Sequence, residues 1–362
     1  MFLLSISVVG LILYKIKYGI SEDRRAYADA KVRIHLNRYL FSDPVTENGS
    51  ETSESLEPVL TRLYNDLFVG SRVRTSLRRR SLRQIALQLT SEVIGETRVR
   101  LTIVFEYFAF VNETIEAMSD RRWWIRAEGC RDAGLMRSER ALPYLERCLD
   151  DPNEDVRIEA AQSMIDIAGV EALSAILMRL KDLSHWMKTR ISISILAFGG
   201  EAVPHLAVGI RSEYPKVQGF CIDLLGQIGD VSALSTLLEY INFEVPEVQQ
   251  KSLIAFGRIG DRRAVPIIQK FMQSDNRDVR YAAVKAAVNL SSPSIASDLL
   301  NQLLKDDLDI KLVAAEALSR SGETGVKSLL YACRFNDERV RLIAHQFLHD
   351  LGVAVPQGEG TA

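Results

Sequence analysis

The chain has 362 residues, 47% of them apolar and 25% charged, the mixture of a folded protein with two or three ordinary domains or one long repeat array. A net charge of −2 excludes a global basic field of the kind that favours nucleic acid, so any basic surface is local. The four cysteines (Cys130, Cys148, Cys221, Cys333) contain no C-x-x-C pair. Cys148, Cys221 and Cys333 fall at apolar or small positions of helical patterns, where a free thiol packs as a small hydrophobe, and this usage suits a reducing compartment.

Residues Phe2 to Tyr14 (FLLSISVVGLILY) carry no charge and are followed by Lys15 and Lys17. This run is short of the ~20 residues of a membrane span, but snorkelling lysines extend it to Ile20. A signal peptide fits poorly, because no basic residue precedes the run and the Ala-x-Ala match at Ala28 to Ala30 lies too far beyond it. A buried core helix is the competing reading, and a membrane anchor over residues 1–20 fits best. Positive charge lies wholly on the C-terminal flank (Lys15, Lys17, Arg24, Arg25, Lys31, Arg33). The positive-inside rule then predicts a single span of the inner membrane with the main body in the cytoplasm.

Residues 21–41 read as a juxtamembrane helix, with Val32, Leu36 and Tyr39 spaced by three and four. Residues 42–57 (SDPVTENGSETSESLE) hold five acids and no base, the composition of a flexible linker. Residues 58–120 read as a helical N-terminal cap or degenerate repeats. Within them Val99 to Val111 is predicted as a buried helix, too short and, with Arg100 and Glu106, too charged to span a bilayer. Between Gly70 and Ser91 there is no acid, while Arg72, Arg74, Arg78, Arg79, Arg80 and Arg83 cluster. These arginines form a solvated helix face, or contact anionic lipid headgroups at roughly 1 kcal/mol per residue, or meet an acidic partner or nucleic acid.

From residue 121 to 352 one pattern recurs: an apolar residue followed by a long polar one. It appears at Ile125-Arg126, Val156-Arg157, Met187-Lys188, Val217-Gln218, Val248-Gln249, Val279-Arg280, Ile310-Lys311 and Val340-Arg341, in steps of 30 or 31 residues. Four residues after each apolar mark stand Gly129, Ala160, Ile191, Cys221, Ser252, Ala283, Ala314 and Ala344. Eight after it stand Ala133, Met164, Ile195, Leu225, Phe256, Ala287, Leu318 and Leu348. Offsets of 0, 4 and 8 share one helix face. Twelve after the mark, Gly199, Gly229, Gly260, Gly322 and Gly352 suit a left-handed helix cap. Ala-Leu-Pro at 141–143 and Ala-Val-Pro at 202–204 and 264–266 then open a second helix, where proline is tolerated in the first turn. Each unit is therefore helix, turn, helix, turn, and only stacking buries its apolar face.

The segments Val279-Arg280-Tyr281-Ala282-Ala283-Val284-Lys285-Ala286-Ala287 and Val156-Arg157-Ile158-Glu159-Ala160-Ala161 resemble the core of the HEAT family, specifically the short bacterial HEAT-like repeats also found in phycobilisome lyases. The resemblance covers residues 121–352, with 353–362 as a disordered tail. It implies an all-α fold: an α-solenoid, a right-handed superhelix of about seven or eight helix pairs, preceded by the membrane helix. HEAT arrays serve many partners, so the fold alone does not assign a function.

Catalytic patterns are weak. No His-Glu pair of the di-iron HEAT hydroxylases occurs, and no P-loop, nucleophile elbow or H-E-x-x-H motif. His345 and His349 lie four apart but have no further ligand beside them, so no metal and no cofactor is expected. The position before each mark is charged in six of eight units but is tryptophan at Trp124 and Trp186. Tryptophan is a common interface anchor. The unit around Trp186 deviates further, with Ile191 in the small column and a nearly uncharged second helix. Trp123, Trp124, Trp186, Met178, Ile191, His205 and Val208 are therefore the expected partner-binding residues. The expectation is a membrane-anchored scaffold that binds a membrane-associated protein, such as a polysaccharide synthase, and not an enzyme. The competing readings are a lyase acting on a bound chromophore, and nucleic-acid or lipid binding through Arg72 to Arg83.

Overall fold

The structure is a computed structural model that describes residues 2–41, 57–69, 75–242 and 245–354; the side chains of residues up to 21 lie outside the described set. All elements among the described residues are helical. The chain divides into two compact units, residues 1–167 and 168–362.

The first unit holds α1 (Phe2–Phe41), α2 (Glu57–Phe68), α3 (Thr75–Leu89), α4 (Gly95–Tyr107), α5 (Phe110–Ala117), α6 (Trp123–Met136), α7 (Leu142–Cys148) and α8 (Glu154–Ala168). One helix thus runs through the expected boundary between anchor and juxtamembrane segments. Its second half is not a free juxtamembrane rod. Val32, Leu36, Tyr39 and Leu40 are buried in one core with Leu63 and Leu67 of α2, Leu82 and Ile85 of α3, and Leu101 and Phe105 of α4. The expected single helix over Val99 to Val111 is broken, because Ala109 adopts the left-handed conformation at φ 54° and starts α5. Helix α4, a left-handed residue and the short α5 together have the form of a repeat.

The second unit holds α9 (Ala172–Arg179), α10 (His185–Ala197), α11 (Val203–Gly209), α12 (Pro215–Ile228), α13 (Ala233–Tyr240), α14 (Pro246–Ile259), α15 (Val265–Phe271), α16 (Arg277–Leu290), α17 (Ala296–Lys305), α18 (Leu308–Ser319), α19 (Gly322–Ala332) and α20 (Glu338–Asp350). Its even-numbered helices pack side by side as one layer, and α9, α11 and α13 follow one another in the other, as do α17 and α19.

The three sequence columns are the core of this packing. The marks Met187, Val217, Val279, Ile310 and Val340, the following column from Ile191 to Ala344, and Ile195, Leu225, Phe256, Ala287, Leu318 and Leu348 are all buried. Each such Val, Leu or Ile contributes about 1.5–3 kcal/mol on burial. The glycines at offset twelve all have positive φ, 55–72°, where glycine carries no Cβ penalty. The same position in two other units holds Arg137 (φ 52°) and Ser291 (φ 46°).

A further column, nine after the mark, sets how closely neighbouring first helices approach. A Cβ on Gly226 would lie 2.8 Å from Ala255 Cα, and one on Gly257 would lie 2.7 Å from Ala286 Cα. Only glycine permits α12–α14 and α14–α16 to pack this tightly. In α10 the position is Leu196, and α10 packs on α12 far less extensively.

Among the described residues, the segment 154–179 is apolar enough by composition to cross a membrane. It comprises α8 and α9, whose Val156, Met164, Leu173 and Leu177 are buried as in any core helix.

Candidate partner-binding surface

The polar residue after each mark is structural. Arg280 Nη1 donates to the carbonyls of Ser274 and Asp275 at 3.0 and 3.1 Å, in the turn just before its helix. Its Nε and Nη2 donate to Asp306 in the next turn at 2.8 and 3.0 Å. Arg126 repeats this with the carbonyls of Asp120 and Arg121 and with Asp151. Lys311 reaches Leu304 O and Asp337. Arg157 and Arg341 keep the two carbonyl bonds. Arg126, Arg280 and Lys311 therefore tie successive turns together, while Arg157 and Arg341 close the turn before their own helix, so these side chains are used within the fold.

The arginine cluster is also largely used within the fold. Arg78 is 2% exposed and donates to Leu67 O. Arg79 bonds Glu113 and Phe108 O and lies over the Phe110 ring at 4.8 Å. Arg83 bonds Asp132 at 2.6 Å. Burial pushes the Asp132 carboxyl up to about 6, against the pull of Arg83. The expected lipid or acidic-partner face thus contracts to Arg80, which is exposed; Arg72 and Arg74 lie outside the described residues. The reason is long-range: the acids that satisfy Arg79 and Arg83 come from α5 and α6.

The expected partner-binding residues fall in both units. Trp123 and Trp124 open α6 in the first unit, 42% and 52% exposed, with their rings edge to face at 6.0 Å. In the second unit Trp186 is 57% and Met178 67% exposed. Ile191 is fully buried and is corrected to a core residue, because an offset of four from the mark points inward. His205 is half-buried on α11, in the layer of second helices, and its Nδ1 pairs with Ser174 Oγ of α9 at 2.9 Å. Val208 lies beside it in the chain, half-buried. Neither belongs to the layer that carries Trp186.

Instead, Trp186 heads a stripe along α10 that also contains Arg190, Ile193 and Ala197, spaced by four, seven and eleven residues from it. These positions lie on one helix face. Ile193 is 69% exposed, and the Arg190 guanidinium sits over the Trp186 ring at 5.8 Å, a geometry in which cation and ring attract. Ser184 caps the helix, accepting from Met187 N–H at 3.1 Å, which fixes the first turn and with it Trp186. On the corresponding face other steps carry ion pairs between consecutive first helices: Arg131–Glu159, Lys251–Asp223 with Arg258–Asp223, and Lys285–Glu316. At the α10–α12 step, the positions equivalent to Arg131–Glu159 hold Ile193 and Phe220. The α10 face thus carries Trp186 and Ile193 where the α6–α8, α12–α14 and α16–α18 steps carry ion pairs, and the α14–α16 step likewise holds apolar residues, Ile254 and Ala282, at these positions.

Two shallow depressions stand out among the described residues. One of about 450 Å³ is lined by Leu342, His345, Gln346 and His349 on the outer face of α20. One of about 330 Å³ is lined by Tyr64, Arg79, Tyr107 and Phe108. All four cysteines are buried free thiols, including Cys130.

Comparison with known proteins agrees with the repeat. The HEAT repeats family model matches residues 111–195 and 203–287, so the chain carries HEAT repeats, and the match begins at α5, ahead of the expected start of the array. No curated protein matches the chain. Among solved structures, an engineered protein is 15% identical with a TM-score of 0.37, covering 92% of this chain and 96% of its own. A chain of the structure in which Kap95p binds RanGDP is 12% identical with a TM-score of 0.34, covering 88% of this chain, which spans 60% of that one. The CpcE–CpcF complex of phycocyanin lyase from Nostoc sp. PCC7120 gives 18% identity and a TM-score of 0.26, covering 86% of this chain and 98% of that chain.

Proposed function

We propose that this chain is a membrane-anchored HEAT scaffold that holds a partner protein on the α10 face, and that it works by binding rather than by catalysis. The observation that carries the reading is the row of exposed Trp186, Ile193 and Ala197 on one face of α10, with the Arg190 guanidinium over the Trp186 ring. Large apolar side chains placed in water on a rigid helix are the anchors of protein interfaces. A rigid array suits this role, since its first helices are fixed by buried columns and by side chains that bridge successive turns.

The apolar start of α1 supports the anchor. Residues 2–20 are uncharged up to Tyr14, and at 1.5 Å per residue they extend about 28 Å, near the ~30 Å of a bilayer core. The same helix continues into the core of the first unit, so an inserted N-terminus would hold the body at a fixed distance from the membrane. The basic flank after residue 14 supports, by the positive-inside rule, a body on the cytoplasmic side of the inner membrane. Such a tether raises the local concentration of membrane-associated partners, among which a polysaccharide synthase complex is a candidate.

Fractionation tests this reading. The full chain is expected in membranes after alkaline carbonate extraction, and a chain beginning at Glu22 is expected in the soluble fraction. Both proteins in the soluble fraction would remove the anchor.

A further inference from the structure

We infer that the outer ridge of α1 packs against the juxtamembrane helix of a second membrane protein, a helix whose apolar heptad row is bordered by Asp and Glu; this rests on the reading of α1 as the anchor. The ridge is Tyr27, Ile34 and Phe41, 59%, 61% and 64% exposed, at steps of seven residues along one helix. Steps of seven keep a row on one side of a helix, and apolar rows of this kind are the seams of paired helices. Ala30 and Asn37, three residues after the first two members, are exposed beside them and occupy the alternate positions of such a seam. On the opposite side of α1, Ala28, Val32, Leu36 and Tyr39 are buried, so the first unit holds the helix with the ridge turned outward. From Tyr27 to Phe41 the ridge is about 21 Å long, enough to seat a helix of several turns.

A second row runs beside the first. Arg24, Lys31 and Arg38 also step by seven, and each stands three residues before or four after a member of the ridge, the spacing of neighbours on a helix surface. Arg24 and Arg38 are exposed and Lys31 is half-buried, and no ion pair among the described residues uses them. Asp23, one turn before Tyr27, is exposed at the start of this face, and from Ala30 to Phe41 the helix contains no acid. An apolar seam with a basic border attracts a helix whose own seam is bordered by carboxylates. The anchor sets where that helix comes from. Helix α1 is one element from Phe2 to Phe41, so with residues 2–20 in the bilayer the ridge leaves the membrane along the same axis. Read back through the sequence, the seven-residue steps fall on Ile20, Leu13 and Ile6, one apolar register from span to ridge. The neighbour that runs along such a helix is one that leaves the bilayer beside it. A second copy of this chain does not fit: two anchored copies run parallel, and the positions that border a parallel seam set Arg38 of one copy against Arg33 of the other. A lipid surface meets the ridge at its Tyr27 end only.

The test is photo-crosslinking in the membranes of cells that make the full chain, with benzoylphenylalanine at Ile34 and the captured segment sequenced by mass spectrometry. The expected product is a segment of another protein within about 20 residues of a transmembrane span, with apolar residues at seven-residue steps and an excess of Asp and Glu. Arg24→Glu/Arg38→Glu should lower the yield about tenfold, and salt raised from about 50 to about 500 mM should lower the wild-type yield. Arg24→Lys/Arg38→Lys keeps the charge and should keep most of the yield, which separates a charge effect from a folding defect. A captured segment that is neutral or basic, or that lies far from any span, overturns the inference. So does capture of lipid, of a second copy of this chain, or of residues 42–56 of the same chain. No capture from a chain that stays in the membrane pellet overturns the inference alone; a chain found in the soluble fraction removes the anchor and the inference with it.

Discussion

Replacing Arg280 with methionine removes one link of the ties between successive turns at nearly constant volume. The side chain donates to two carbonyls and, in bidentate form, to Asp306. Hydrogen bonds to charged groups contribute about 1.5–3 kcal/mol each when buried, and stranding one partner of a buried ion pair costs about 3–5 kcal/mol. The Asp306 side chain is 9% exposed and that of Arg280 22%, so water recovers part of the loss. The net destabilisation worked from this geometry is about 2–3 kcal/mol, measured as the shift of the urea unfolding curve. In a cycle with Asp306→Asn the coupling should be about 1–2 kcal/mol. The pH dependence has a definite sign. The hydrogen bond from Arg280 holds the Asp306 carboxyl below its usual range, against burial. Its share of stability is therefore present above the unfolded value of ~3.9 and lost as pH falls through the lower folded value. The difference between wild type and Arg280→Met should shrink below about pH 4. A loss under about 0.5 kcal/mol, or a difference unchanged at low pH, would refute the bridging role.

Other outcomes follow from single positions. At Gly260 a Cβ meets nothing within 4 Å, so Gly260→Ala is resisted by its φ of 72° alone. It should lose about 1 kcal/mol, and Ser291→Gly should gain about 0.5–1 kcal/mol, in the same unfolding assay. Ile191→Ser should cost about 2–4 kcal/mol, whereas Ile193→Ser should stay within about 0.5 kcal/mol; equal costs would contradict the assignment of one to the core and the other to the surface. Burial raises the Asp132 carboxyl to about 6, so the folded state retains a proton that the unfolded state releases, and stability should fall as pH rises from about 4 to 6. Melting temperatures of Asp132→Asn should lack that fall.

The repeat register was legible because burial at offsets of 0, 4 and 8 is a local property of helices, and the sequence shows it in eight units. The left-handed position at offset twelve was legible where glycine fills it. Arg137 and Ser291 adopt the same conformation without a residue type that announces it. The core around α1 to α4 was not legible as a repeat, since it gathers residues such as Leu36 and Phe105 from distant stretches of chain. The arginine cluster misled for the same reason: its acids and carbonyls lie tens of residues away. Trp186 was legible as a departure from a charged column. Arg190, Ile193 and Ala197 could have been found from it by helical spacing alone. Ile191 was assigned to the surface against its own register, in which a larger residue at an inward column enlarges the core.

The central claim is that α10 holds a membrane-associated protein, and purification of the full chain from membranes in mild detergent tests it most directly. The wild type is compared with Trp186→Glu/Ile193→Glu, two exposed changes that should leave the fold intact. The expected result is a stoichiometric membrane protein that accompanies the wild type, identified by mass spectrometry, and is absent from the variant. A wild-type chain that leaves the membrane alone, or a companion retained by the variant, would contradict it.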